Sequence, residues 1–205
     1  MFFLIRKKKN THMSQSGFSL IELIVTIAIM VLVTSVVMVK HSSSNNVVLL
    51  KAQAFELALD FRAAQAYGVG VKRSDAASRH AYGISVDSTA HTYSLFWDIN
   101  ADPGDEEGVM DSGEQIGDEY IIDSRFFIAD MCIVSGSTRC LSTVSDSSMD
   151  VTSATFKRPD FDARIANADG SVSNVDYLEI TIASVSDSSF TNTVRVYSSG
   201  QISVQ

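Results

Sequence analysis

The hydrophobic pattern along the chain changes period twice. Residues 18–39 read FSLIELIVTIAIMVLVTSVVMV, an apolar run whose only ionisable side chain is Glu22. Rising about 1.5 Å per residue, such a helix is about 33 Å long and matches a hydrocarbon core of about 30 Å. Lys40 and His41 close the run, and HSSSNN follows. Residues 46–67 then place Val48, Ala52, Phe55, Leu59, Ala63 and Ala66 three and four positions apart, with Glu56, Asp60 and Arg62 off that stripe. The spacing predicts an amphipathic helix. Asn45 or Asn46 would cap it as a separate element, or HSSSNN sits inside one longer helix. Gly68 and Gly70 are its expected end.

Beyond residue 80 the period becomes two. The alternation predicts strands at Tyr82–Val86, Tyr93–Trp97, Arg125–Val134, Asp150–Phe156, Leu178–Ala183, Thr193–Tyr197 and Gln201–Val204. Short polar turns separate them, including Asn167-Ala168-Asp169-Gly170 and Ser198-Ser199-Gly200. No internal repeat is visible. The expected fold is α+β, an antiparallel sheet packed on the C-terminal half of a long N-terminal helix.

Charge adds topology to this picture. The 205 residues carry 16 basic and 24 acidic side chains, a formal net charge of −8. Arg6, Lys7, Lys8 and Lys9 stand in residues 1–17 without an acid, so this part contributes +4 and the other 188 residues −12. By the positive-inside rule the basic stretch stays in the cytoplasm and the acidic body lies across the membrane. A secretory signal peptide shares the basic start, but this apolar run is too long for its core. No A-x-A-like cleavage site follows within Lys40–Asn46. A hydrophobic content of 45% is too high for a disordered chain. An acidic surplus also weighs against general nucleic-acid binding, which needs clustered Lys and Arg.

The junction reads Gln15-Ser16-Gly17-Phe18-Ser19-Leu20-Ile21-Glu22-Leu23. A glutamate inside a spanning helix is costly unless it faces a partner. With Gly17 before an aromatic and a basic leader before that, the segment resembles the type IV prepilin and pseudopilin family, whose signature is G-F-[ST]-L-I-E-L. The resemblance implies that a prepilin peptidase cuts between Gly17 and Phe18, that Phe18 becomes N-methylated, and that Glu22 guides assembly by meeting the Phe18 ammonium of a neighbouring subunit. A glycine before the cut suits an extended backbone in a narrow protease cleft. In that family the spanning helix continues into the globular part, which favours one helix over 18–67, loosened at 41–46.

The implied parts are a cleaved leader at 1–17, a membrane or filament-core segment at 18–40, an amphipathic continuation at 41–67 and a β-rich head at 68–205. The implied location is the cytoplasmic membrane with the head outside, then an extracytoplasmic filament. Partners would be the peptidase, other pilin subunits, an inner-membrane assembly platform and the membrane itself, with Lys7, Lys8 and Lys9 setting topology. The succession of helix, Ala64–Arg73 turn, strands, acidic loop and closing VRVYSSGQISV hairpin resembles, more loosely, the GspH/FimT-like minor pseudopilins. Major and minor pilin both remain open.

Residues 98–119 hold nine acids and no base. Asp98, Asn100 and Asp102 alternate like the first ligands of a calcium loop, yet Pro103 stands where an EF-hand needs Gly and Val109 where it needs Glu. A looser calcium cage of Asp98, Asn100, Asp102, Asp111 and Glu114 is one reading, in line with calcium binding by some pseudopilins; a solvated acidic loop or an interaction patch is another. No cofactor is required. Cys132 and Cys140 flank seven residues with turn formers. In an oxidising compartment they are expected to form a disulfide, with two buried thiols as the alternative.

No catalytic signature is present: no G-x-S-x-G, H-E-x-x-H or phosphate-binding glycine loop. The histidines at 12, 41, 80 and 91 are scattered, so no enzyme is expected. Lys72, Arg73, Arg79 and His80, or Lys157, Arg158 and Arg164 beside Phe156 and Phe161, would serve a DNA-binding minor pilin. The plainer reading of these groups is a salt-bridged surface. The competing class is a single-pass anchored binding protein that never polymerises.

Overall fold

The computed structural model of the chain describes residues 17–70, 80–98, 108–143, 147–157, 161–172 and 174–205, without the side chains of 39–44 and 171. Helix α1 runs Leu20–Val69, and residues 41–46 are helical within it. Among the described residues eleven strands follow: β1 Ala81–Asp87, β2 Thr92–Asp98, β3 Tyr120–Ile121, β4 Phe126–Ser135, β5 Ser137–Cys140, β6 Val151–Phe156, β7 Ala163–Asn167, β8 Gly170–Ser171, β9 Tyr177–Ser184, β10 Thr191–Tyr197 and β11 Ile202–Val204. The chain divides into two compact units, residues 1–43 and 44–205.

In the second unit the strands form two antiparallel sheets rather than the single sheet expected, ordered β3-β2-β1-β6-β7-β8 and β11-β10-β9-β4-β5. Each of the seven predicted strands is present, and β3, β5, β7 and β8 are additional. The Asn167–Gly170 and Ser198–Gly200 turns join β7 to β8 and β10 to β11.

Period-two alternation decides which side of each strand is buried. In β9, Leu178, Ile180 and Ile182 point inward while Tyr177, Glu179 and Thr181 are half-exposed. Strand β4 buries Phe126 and Ile128 and then Met131 and Ile133, a change of parity. A bulge between Ile128 and Asp130 absorbs the extra residue and keeps both pairs inside. Asp130, at that bulge, accepts hydrogen bonds from Met131 N, Ser142 N and Ser142 Oγ, and so fastens the turn after β5.

One core joins the helix to both sheets. Leu50, Ala54, Leu57, Ala58, Phe61 and Ala64 of α1 pack with Ile84, Val86, Phe156 and Ile165 of one sheet and Met131, Leu178, Ile180, Val194 and Val196 of the other. Tyr93 Oη donates to Asp60 Oδ2 at 2.8 Å, a polar pin between sheet and helix. Burial, and then this bond to Asp60, holds the phenol well above its ordinary pKa.

The packed face is not the stripe that the sequence spacing singles out. At 100° per residue, Val48, Ala52, Phe55, Leu59, Ala63 and Ala66 lie on the side opposite the buried row. Val48 is 66% exposed, Phe55 48% and Leu59 58%. The segment therefore has two apolar faces, each with three alanines, and the sheets pack on the one that carries Leu50, Leu57 and Phe61. Gly68 marks the closest approach. It does not end the helix, which continues to Val69. A Cβ there would collide with the carbonyl oxygen of Phe156.

Cys132 and Cys140 are direct cross-strand partners of β4 and β5 and form a disulfide, with Cα atoms 4.0 Å apart. The short closure is a hairpin rather than an irregular loop.

Two stability measurements follow from this packing. Gly68→Ala should cost about 1–3 kcal/mol, because the obstacle is backbone and the helix must shift; an unchanged thermal midpoint would contradict the close approach. Replacing both cysteines by serine should lower unfolding free energy by about 2–3 kcal/mol in denaturant titration. An unaltered titration would show that the bond adds nothing to the paired strands.

Candidate processing and assembly site

Gly17, Phe18 and Ser19 precede the helix and are exposed. The Ser19 carbonyl accepts the bond from Leu23 N at 3.2 Å, so Ser19 caps the helix and Glu22 is its third residue. Ser19 and Glu22 have the S-x-x-E spacing of a capping box, and a carboxylate in the first turn suits the positive end of the helix dipole. The Gly17–Phe18 bond thus stands in non-helical backbone, as a protease needs it. Among the described residues no atom lies within 4 Å of where a Gly17 side chain would begin.

Leu20–Met38 is long and apolar enough to cross a membrane. Its hydroxyls are satisfied within the helix: Thr26 Oγ1 donates to Leu23 O at 2.9 Å, Thr34 Oγ1 to Met30 O at 2.8 Å and Ser35 Oγ to Val31 O at 2.7 Å. Such back-bonding removes the cost of carrying hydroxyls into hydrocarbon. Glu22 is different. Among the described residues its carboxylate has no hydrogen-bond or ion-pair partner.

The acidic stretch is less open than its composition implies. From Gly108 onward it packs on the sheet: Ser153 Oγ donates to Gly108 O, Trp97 N to Glu114 O at 3.1 Å and Ile116 N to Leu95 O at 2.7 Å. Beneath it lie the buried hydroxyls of Ser85, Ser94 and Thr155. Glu114 is only 3% exposed, and its Oε2 accepts from Asp111 N at 2.8 Å. This carboxylate closes its own turn. Asp98 is buried at the end of β2, Asp111 is exposed, and Asn100 and Asp102 lie outside the described residues.

Among the described residues, the one set of three candidate ligand atoms within 4.8 Å is Asp130, Cys132 and Cys140. Its two sulfurs are bonded to each other and are not thiolate ligands. Asp98, Asp111 and Glu114 are not gathered into such a set.

Lys7, Lys8 and Lys9, and the basic groups Lys72, Arg73, Arg79 and Arg158, lie outside the described residues. Phe156 is fully buried and is not available for stacking on bases; Phe161 is exposed. His80 sits with its ring 6.4 Å from that of Trp97.

Residues 12–38 match the family model described as the prokaryotic N-terminal methylation motif. No curated protein and no solved structure matches the chain. The chain carries the amino-terminal signature of type IV prepilins and pseudopilins, and that signature supports a membrane-anchored substrate of prepilin peptidase.

Proposed function

We propose that the protein is a non-enzymatic structural subunit of a type IV pilus or of a related secretion or competence filament, and a minor subunit of the GspH/FimT-like kind. Peptidase cleavage after Gly17 exposes Phe18, whose methylated ammonium lies at the membrane boundary. Glu22 of an incoming subunit then pairs with the ammonium of a subunit already in place. Opposite charges in a medium of low dielectric attract strongly, and a carboxylate with no partner among the described residues gains most from such a pairing.

The observation that carries this reading is the second apolar face of α1. Val48, Phe55 and Leu59 lie beyond the span, in the head, and are exposed. An anchored protein that stays monomeric gains nothing from that row. A helix that packs among its own copies buries it, at roughly 1.5–3 kcal/mol for each large side chain. Lipid and neighbouring helices satisfy the same apolar surface, so transfer from membrane to filament leaves no part of the span uncovered.

Amino-terminal sequencing of the exported protein should begin at Phe18, with Gly17→Val uncut. Glu22→Val should be cut yet enter filaments poorly. The joint variant Phe55→Asp, Leu59→Asp separates the filament from the anchored monomer. It should be processed normally and melt near the wild-type temperature, since both sites are exposed, while recovery in sheared filaments falls at least about tenfold. Wild-type incorporation of this variant would sink the proposed role of the stripe.

A further inference from the structure

The sulfurs of Cys132 and Cys140 have a third donor beside them. The two residues face each other across β4 and β5 with Cα atoms 4.0 Å apart, so both side chains leave the sheet on one side. Asp130 Oδ2 lies 3.7 Å from Cys132 Sγ. One atom from each of the three residues falls within 4.8 Å of the others. Both cysteines are buried and Asp130 is half-buried, so the donors converge where water is scarce.

Contacts other than the S–S bond hold these positions. The β4–β5 ladder continues through Ile133–Arg139, Val134–Thr138 and Ser135–Ser137, and β9 pairs with the other edge of β4. Beyond Cys140 the chain is fastened again. Leu141 N donates to Met131 O at 2.9 Å, Cys140 N to Thr143 Oγ1 at 3.0 Å and Thr143 Oγ1 to Cys140 O at 2.9 Å. Met131 N and Ser142 N donate to Asp130 Oδ1, and Ser142 Oγ donates to Oδ2. Outer hydrogen bonds of this kind orient a carboxylate that ligates a metal. None of them involves sulfur, so opening the disulfide leaves two thiols and a carboxylate at one place.

We propose that the dithiol form of the head binds a thiophilic divalent cation, zinc above all, through Cys132 Sγ, Cys140 Sγ and Asp130 Oδ2. Bonds from Zn²⁺ run about 2.3 Å to sulfur and about 2.0–2.2 Å to carboxylate oxygen, which puts tetrahedral donors about 3.6–3.8 Å apart. The spacing of Asp130 Oδ2 and Cys132 Sγ is already of that size. Water takes the fourth position, as in zinc sites with three protein ligands. A calcium site would instead be built from oxygen alone. A dithiol reductant opens the site: its two thiols become a disulfide, and two electrons and two protons pass to the sulfurs of Cys132 and Cys140. Zn²⁺ then displaces both protons to solvent. Metal and S–S bond are thus alternative clips on one hairpin. This site goes beyond the filament reading and does not depend on it.

The test uses the full chain in detergent micelles, reduced with a phosphine that is then removed under nitrogen, beside the oxidised chain. Cd²⁺ is the probe, because charge transfer from thiolate to cadmium absorbs in the ultraviolet, and Zn²⁺ is the competitor. The reduced chain should take up one equivalent of Cd²⁺ at least about a hundredfold more tightly than the oxidised chain, and Zn²⁺ should displace it. With Zn²⁺ about a hundredfold above its Kd, the melting midpoint of the reduced head should rise by about 5–10 °C, and that of the oxidised head should not move. Cys132→Ser should remove the charge-transfer band. Asp130→Asn keeps an acceptor for the Met131 and Ser142 amides and should weaken binding about tenfold or more. Equal uptake by the oxidised chain overturns the site, since the ion then sits on other groups, and so does a reduced, folded chain that takes up no Cd²⁺. A reduced head that no longer melts cooperatively overturns the claim that strand pairing holds the donors. Undiminished affinity of Asp130→Asn removes Asp130 as a ligand and overturns the three-donor site.

Discussion

The row Leu50, Ala54, Leu57, Ala58, Phe61 and Ala64 is the contact on which the rest of the head depends. Both sheets bury their inner faces against it, so the helix is the one element common to the whole core. Alternation with alanine, and Gly68 at the end, brings sheet backbone close to helix backbone. Leu50, Leu57 and Phe61 then fill the space between the sheets. Because this row takes one side of the cylinder, whatever apolar surface lies on the other side is free for a second use.

That division gives α1 three environments along its length. The span is apolar all round and its hydroxyls bond inward, which suits lipid or neighbouring helices equally. Glu22 is the exception: one charge near one end, without a partner among the described residues. Beyond the span, the head takes one face and leaves Val48, Phe55 and Leu59 outside. A uniform apolar cylinder offers no register of its own, and one charge near its end is the feature that breaks that uniformity.

Much of this was legible in the residues. The junction motif, the span and the long alternating strands are carried by local patterns of one period, and each has its expected place. The buried face of α1 was not, because Val48, Ala52, Phe55, Leu59, Ala63 and Ala66 repeat as regularly as the row that packs. Periodicity reports that a face is apolar without reporting what covers it. The overlapping series beginning at Leu50 was the available signal. Strand β5, Ser-Thr-Arg-Cys, has no apolar alternation and is fixed by pairing and by the bond between Cys132 and Cys140. Strand β7 is short and follows a turn-like composition. Glu114 reads as a solvated acid or a ligand in sequence, and only folding turns it back onto the Asp111 amide.

The sheet edges bear on how the head can associate with other chains. Exposed strands invite pairing with them. Here the four edge strands are β3, β8, β11 and β5. The first three are two or three residues long, too short to template a ladder. Strand β5 exposes Ser137, Thr138 and Arg139, and its disulfide holds it against β4. Edge-to-edge addition is thus disfavoured on every side. Among the described residues, the long exposed apolar surface that remains belongs to the helix.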